Sequence, residues 1–142
     1  MQHGSSFQML LLVFLQLNVI NTSTEAVAYP RFILINDAKT WAEAQSYCRQ
    51  HHTDLASVRN QDENREMVTL VPSRKKVWIG LFRDSWKWSD GSATSFQNWN
   101  ERQPEHRIKE SCVASRAGKW ENLPCASKLF FACYSGEWLL AF

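Results

Sequence analysis

Residues 100–112, NERQPEHRIKESC, concentrate the side chains of this sequence that could do chemistry. Glu101, Glu105 and Glu110 bring three carboxylates, Arg102, Arg107 and Lys109 three permanent cations, and His106 a titratable ring. Carboxylate and amide oxygens are the donors that a hard cation such as calcium takes. Arginine and lysine on one loop would instead attract an anionic ligand. The same mixture also suits a solvated loop that neutralises itself. Catalysis finds little support. The chain has no G-x-S-x-G elbow, no H-E-x-x-H pair and no glycine loop to cradle phosphate, so it is expected not to be an enzyme. His51-His52 reads as a surface pair, because adjacent helical residues face different ways.

The elements that must carry this loop belong to a short, exported domain. The 142 residues suit one domain. The run from Met9 to Ile20 has the length of a signal-peptide core and is too short to span a bilayer. Ala26-Val27-Ala28 follows as a cleavage pattern, so residues 1–28 are expected to be a leader and the product to be secreted and extracellular. With Glu25 removed, the net charge moves from +2 to +3, too little to imply nucleic acid. Four cysteines, Cys48, Cys112, Cys125 and Cys133, fit two disulfides in an oxidising compartment, with three connectivities open on spacing alone. The absence of any C-x-x-C pair argues against a zinc ribbon.

Local patterns give the elements. Arg31–Ile35 is β-rich and reads as an opening strand. Thr40-Trp41-Ala42-Glu43 is a capping box, and Trp41, Ala44 and Cys48 share one face of the helix that follows to about Gln50. Asn60 caps a second helix, along which Asn64, Met67, Val68 and Val71 recur at helical spacing until Pro72 stops it. Val77–Leu81 is a continuous apolar run, hence a buried strand. Trp86-Lys87-Trp88 alternates before an Asp90-Gly91 turn, and Cys112–Ala114 and Phe130–Cys133 read as strands with a long polar stretch between them. Helices first and strands after argue an α+β fold.

In this order the landmarks resemble the C-type lectin-like domain, in the short single-domain form abundant in fish. The resemblance rests on Lys39–Cys48 (KTWAEAQSYC), Asp54–Val58 (DLASV), Trp78–Leu81 (WIGL), Trp86–Gly91 (WKWSDG) with Phe96–Trp99 (FQNW), and Gly118-Lys119-Trp120 leading to Cys125 and Phe131-Ala132-Cys133. It covers nearly all of residues 29–134, leaving residues 135–142 as a tail with an apolar cluster too short to span a membrane. It implies two helices, two small antiparallel sheets, a long polar loop, and disulfides Cys48–Cys133 and Cys112–Cys125.

The resemblance also implies where calcium ligands would sit. The Glu-Pro-Asn tripeptide of mannose-type members falls on Gln103-Pro104-Glu105, the acid before the following strand on Glu110, and Trp-Asn-Asp on Trp120-Glu121-Asn122. Gln103, Glu105, Glu110, Glu121 and Asn122 keep three carboxylates and two amides, with acid and amide exchanged in each tripeptide. Gln103-Pro104-Glu105 is similar to the Gln-Pro-Asp of galactose-type members. Their stacking tryptophan is Arg107 here, and Pro104 is expected to follow a cis bond. The longer Glu105 and Glu121, with Arg102, Arg107, Lys109 and Lys119 close by, weigh against calcium. Two functions therefore stand side by side. One is a secreted lectin holding a glycan or glycoprotein through calcium, with a galactose leaning. The other is a calcium-independent lectin-like domain binding a protein or an anionic glycan through Arg102, Arg107 and Lys109. The tryptophans read as core rather than as sugar platforms.

Overall fold

The computed structural model describes residues 31–136. The leader expected over residues 1–28 lies outside them, as does the tail beyond Gly136.

Strand β1 (Phe32–Lys39) opens the domain and runs further than its apolar residues suggested. It is an edge strand, so its exposed middle, Asn36 to Ala38, needs no apolar partner. Helix α1 (Trp41–His51) starts at the expected capping box, in which Thr40 Oγ1 accepts from the Glu43 amide and Glu43 Oε1 accepts from the Thr40 amide. After the short β2 (Asp54–Leu55), helix α2 (Gln61–Leu70) is capped by Asn60, whose Oδ1 accepts from the Glu63 amide at 2.8 Å. Its buried face is Glu63, Asn64 and Met67, whereas Val68 is 44% exposed. Burial of Glu63 is compensated by charge: Oε1 takes Arg31 Nη1 at 2.7 Å and Arg59 Nη2 at 2.9 Å.

The strands that follow are β3 (Val77–Phe82), β4 (Lys87–Trp88), β5 (Ser111–Arg116), β6 (Lys119–Pro124) and β7 (Leu129–Tyr134). Neighbours run β1-β7-β3-β5-β6, with β2 beside β7 and β4 beside β3. A parallel β3–β7 pairing joins the antiparallel groups, so the strands form one mixed sheet where the resemblance implied two small antiparallel ones. Strand β6 is the element that the sequence pattern hid. Its inward positions are Trp120 and Asn122, and a buried polar residue breaks the apolar alternation.

The two faces of β3 explain its unbroken apolar run. Val77, Ile79 and Leu81 enter one core with Met67, Val71, Trp88, Val113 and Trp120. Trp78 enters the other, with Trp41, Ala44, Cys48, Phe131 and Cys133. Thus α2 covers one face and α1 the other. Gly80 lies against β2 so closely that a Cβ would come within 3.1 Å of the Leu55 carbonyl. Disulfides Cys48–Cys133 and Cys112–Cys125 are both formed, as the resemblance implied.

At the end of β7, Tyr134 donates to Asp90 Oδ2 at 3.0 Å. Burial and the Asp90 carboxylate push the phenol up from 10.0 to about 12. A folded-state value above the unfolded one means this contribution is complete below pH 10 and is lost as pH rises toward 12. The stability gap between the parent and Tyr134→Phe, measured by urea unfolding, should therefore hold steady up to about pH 10 and close above it. A gap unchanged through pH 12 would show that Asp90 does not hold the phenol.

Candidate functional site: the long loop pinned on a buried asparagine

The segment between β4 and β5 is long and polar, yet it is fastened at three places. The first is β6. Asn100 N donates to Trp120 O at 2.8 Å and Trp120 N to Asn98 O at 3.0 Å, so residues 98–100 run beside the strand. Aromatic side chains fill the space beneath. Trp88, Phe96 and Trp99 each meet Trp120 edge-on, with ring centroids 5.6, 5.7 and 6.1 Å away. Trp78, Trp88 and Trp120 are buried, while Trp86 and Trp99 pack on each other half-buried at 4.8 Å. Among the described residues the tryptophans are core and hairpin packing, as the sequence suggested.

The second fastening is Asn122, which is 2% exposed. Its Oδ1 accepts from Glu105 N at 2.6 Å and its Nδ2 donates to Glu105 O at 2.8 Å. Its own amide donates to Gln103 Oε1 at 3.3 Å. Both sides of the carboxamide are therefore used, a match that only an amide provides. The Gln103–Pro104 bond is cis, in agreement with the expectation from the resemblance.

The third fastening was not legible in the sequence. Arg83, just past β3, donates from Nη1 to Ile108 O at 2.8 Å and to His106 O at 3.3 Å. These contacts span 23 and 25 residues, and no local pattern announces them.

Of the five expected ligand residues, Gln103, Glu105 and Asn122 come together. Glu121 does not join them. Successive side chains of a strand point to opposite faces, and β6 alternates accordingly: Trp120 and Asn122 are buried beneath the loop, and Glu121 lies on the reverse side, ion-paired with Lys76. Glu105 has its own cation. Its Oε1 accepts from Arg107 N at 3.3 Å and from Arg107 Nε at 3.1 Å, and these bonds with the adjacent guanidinium charge hold the carboxyl below its ordinary range. Glu110 is exposed. Among the described residues no three acidic, histidine or cysteine side chains converge as metal ligands. As placed, Gln103, Glu105, Glu121 and Asn122 do not fit one calcium ion, because Glu121 lies on the reverse face of β6 and an oxygen of each of the four already serves a protein donor. Arg102 and Lys109 project exposed from the same loop, and Arg102 sits at φ +64°.

Comparison with known proteins agrees with this architecture. The family model described as the lectin C-type domain matches residues 37–135. A C-type lectin of Micrurus corallinus is 35% identical over 115 residues, covering 70% of this chain and 73% of its own length. Human lithostathine is similar in structure, with a TM-score of 0.70, 29% identity and coverage of 76% of this chain and 94% of that one. A calcium-independent type II antifreeze protein superimposes with a TM-score of 0.67 at 25% identity, covering 72% and 82%. Two disulfides, two helices flanking a mixed sheet and a long loop folded onto β6 thus accord with sequence kinship: this chain belongs to the C-type lectin domain family.

Proposed function

We propose that the domain is a secreted recognition module that binds a glycan or glycoprotein through the face of its long loop without calcium. The observation that carries this reading is the closed Asn122–Glu105 pair: both polar atoms of the carboxamide are spent on the Glu105 backbone. The loop is thereby ordered by protein hydrogen bonds where calcium would otherwise have to order it. Internal cations at Glu105 and Glu121 support the same reading, and one structural neighbour is a calcium-independent type II antifreeze protein. The exposed Arg102 and Lys109, with Arg107 beside them, favour an anionic glycan.

Thermal unfolding of the refolded domain, in millimolar calcium and in chelator, tests the metal. An extracellular site of about 10⁻⁴–10⁻³ M affinity would add about 0.4–1.4 kcal/mol at about 1 mM calcium, or a few degrees in Tm. We expect coincident transitions. A glycan array should then give hits that survive chelator and weaken in Arg102→Gln/Lys109→Gln. Galactose-terminated hits that vanish with chelator would establish the calcium-dependent, galactose-type alternative instead.

A further inference from the structure

A second cationic surface lies at the other end of the sheet. The register places it. Val77, the first residue of β3, pairs with Ser115 of β5, Ser115 pairs with Trp120 of β6, and Arg116 stands directly opposite Lys119. Residues 74–76, which lead into β3, therefore lie beside the β5–β6 turn. Lys76 demonstrates the proximity by ion-pairing with Glu121 across β5. By strand alternation Lys76, Arg116, Lys119 and Glu121 share one face of the sheet.

Charge at this end is strongly unbalanced. Glu121 is taken by Lys76. Arg74, Lys75, Arg116 and Lys119 are exposed, and among the described residues none of them has a carboxylate within ion-pair distance. Two cations directly opposite across an antiparallel pair repel each other. The turn that presents them is firmly built. Ala117 and Gly118 have φ +50° and +78°, the Gly118 carbonyl accepts from Asn64 Nδ2 at 3.1 Å and from Asn98 Nδ2, and a Cβ on Gly118 would meet Val68 Cγ2 at 2.6 Å. Arg116 and Lys119 are therefore displayed from a rigid hairpin rather than a loose loop. The long loop enters β5 at Ser111, the opposite end of that strand from Arg116, about 17 Å away at the rise of an extended strand.

We propose that this sheet end, formed by Arg74, Lys75, Arg116 and Lys119, is a docking surface for a sulfated linear polysaccharide. Arg116 and Lys119 project from neighbouring strands roughly 4.8 Å apart, and Arg74 and Lys75 lie on the segment leading into β3, so the four form a patch that one polyanionic chain would follow. Val68 is the one large apolar side chain exposed among the described residues, which leaves little to insert into a lipid surface. The disulfides fit an oxidising, extracellular setting, where such polysaccharides are encountered. Its four cations are distinct from Arg102, Arg107 and Lys109 of the long loop, and the proposal does not depend on how those are used.

The test is binding of the domain to immobilised heparin over a series of salt concentrations. Screening makes an electrostatic contact weaken as salt rises. We expect binding that weakens in this way, falls at least tenfold in Arg116→Gln/Lys119→Gln, and is unchanged in Arg102→Gln/Lys109→Gln. The first pair is exposed and outside both cores, so its thermal transition should match the parent and loss of binding would not reflect unfolding. Desulfated heparin should not bind. No binding, equal binding of desulfated heparin, loss confined to the long-loop variant, or binding to phosphatidylserine vesicles without binding to heparin would each overturn the proposal. Failure of the glycan array for the long loop would leave this result intact.

Discussion

Replacing Cys48 and Cys133 together by alanine should lower the unfolding free energy by about 4–5 kcal/mol. The bridge closes 85 residues, and in the chain-entropy account the constraint on the unfolded chain grows with the logarithm of that length. Both cysteines are fully buried in the core beneath α1, where Cys48 faces strand β7. Alanine therefore removes packing as well as the cross-link. Domains of this kind are stable by about 5–15 kcal/mol in total, so the doubly substituted protein should unfold at far lower denaturant and be partly unfolded near 37 °C. Removing Cys112–Cys125, which closes 13 residues, should cost about 3 kcal/mol. Urea unfolding of the three proteins measures the ranking. If loss of the long bridge cost less than 1 kcal/mol, or less than loss of the short one, α1 and β7 would be held by packing alone.

Asn122→Asp should destabilise the domain by about 3–5 kcal/mol and loosen the long loop around Glu105. Aspartate is almost the same shape, so sterics do not explain the effect. The Glu105 amide would keep its acceptor, but the Glu105 carbonyl would lose the Nδ2 donor at 2.8 Å and face a carboxylate oxygen. At a site 2% exposed, an unpaired charge costs several kcal/mol and an unsatisfied carbonyl adds to it. Loop contacts with Arg83 remain, so the fold should persist while trypsin cuts faster after Arg102, Arg107 and Lys109. This substitution also restores the acid that calcium-binding members are expected to carry here. It therefore separates the two functional readings in one protein. Calcium should not rescue the variant, since Glu121 remains on the reverse face with Lys76. Rescue by millimolar calcium of both stability and protease resistance would instead show that the loop can rearrange into a metal site.

Much of the scaffold followed from the chain because its signals are local. The Thr40–Glu43 box and Asn60 cap specify helix starts within three residues, and the run Val77–Leu81 announces a strand buried on both faces. Val68 marks where such reasoning stops. Its spacing matched the inward face of α2, but the charge pairing of Glu63 with Arg31 and Arg59 turned that helix to bury an acid and leave Val68 exposed. Strand β6 was hidden for a related reason, since Asn122 occupies an inward position that a pattern of apolar residues cannot register.

For the site, residue order determined which side chains exist, and with the family resemblance it named Gln103, Glu105, Glu110, Glu121 and Asn122 as one set. Only the tertiary structure decided that Glu121 and Asn122, adjacent in sequence, serve opposite faces, that Lys76 and Arg107 occupy the carboxylates, and that Arg83 clamps the loop from 23 residues away. Ligand type is a property of the chain, but charge neutralisation depends on distance through space, and strand register sets those distances across gaps that no local pattern spans.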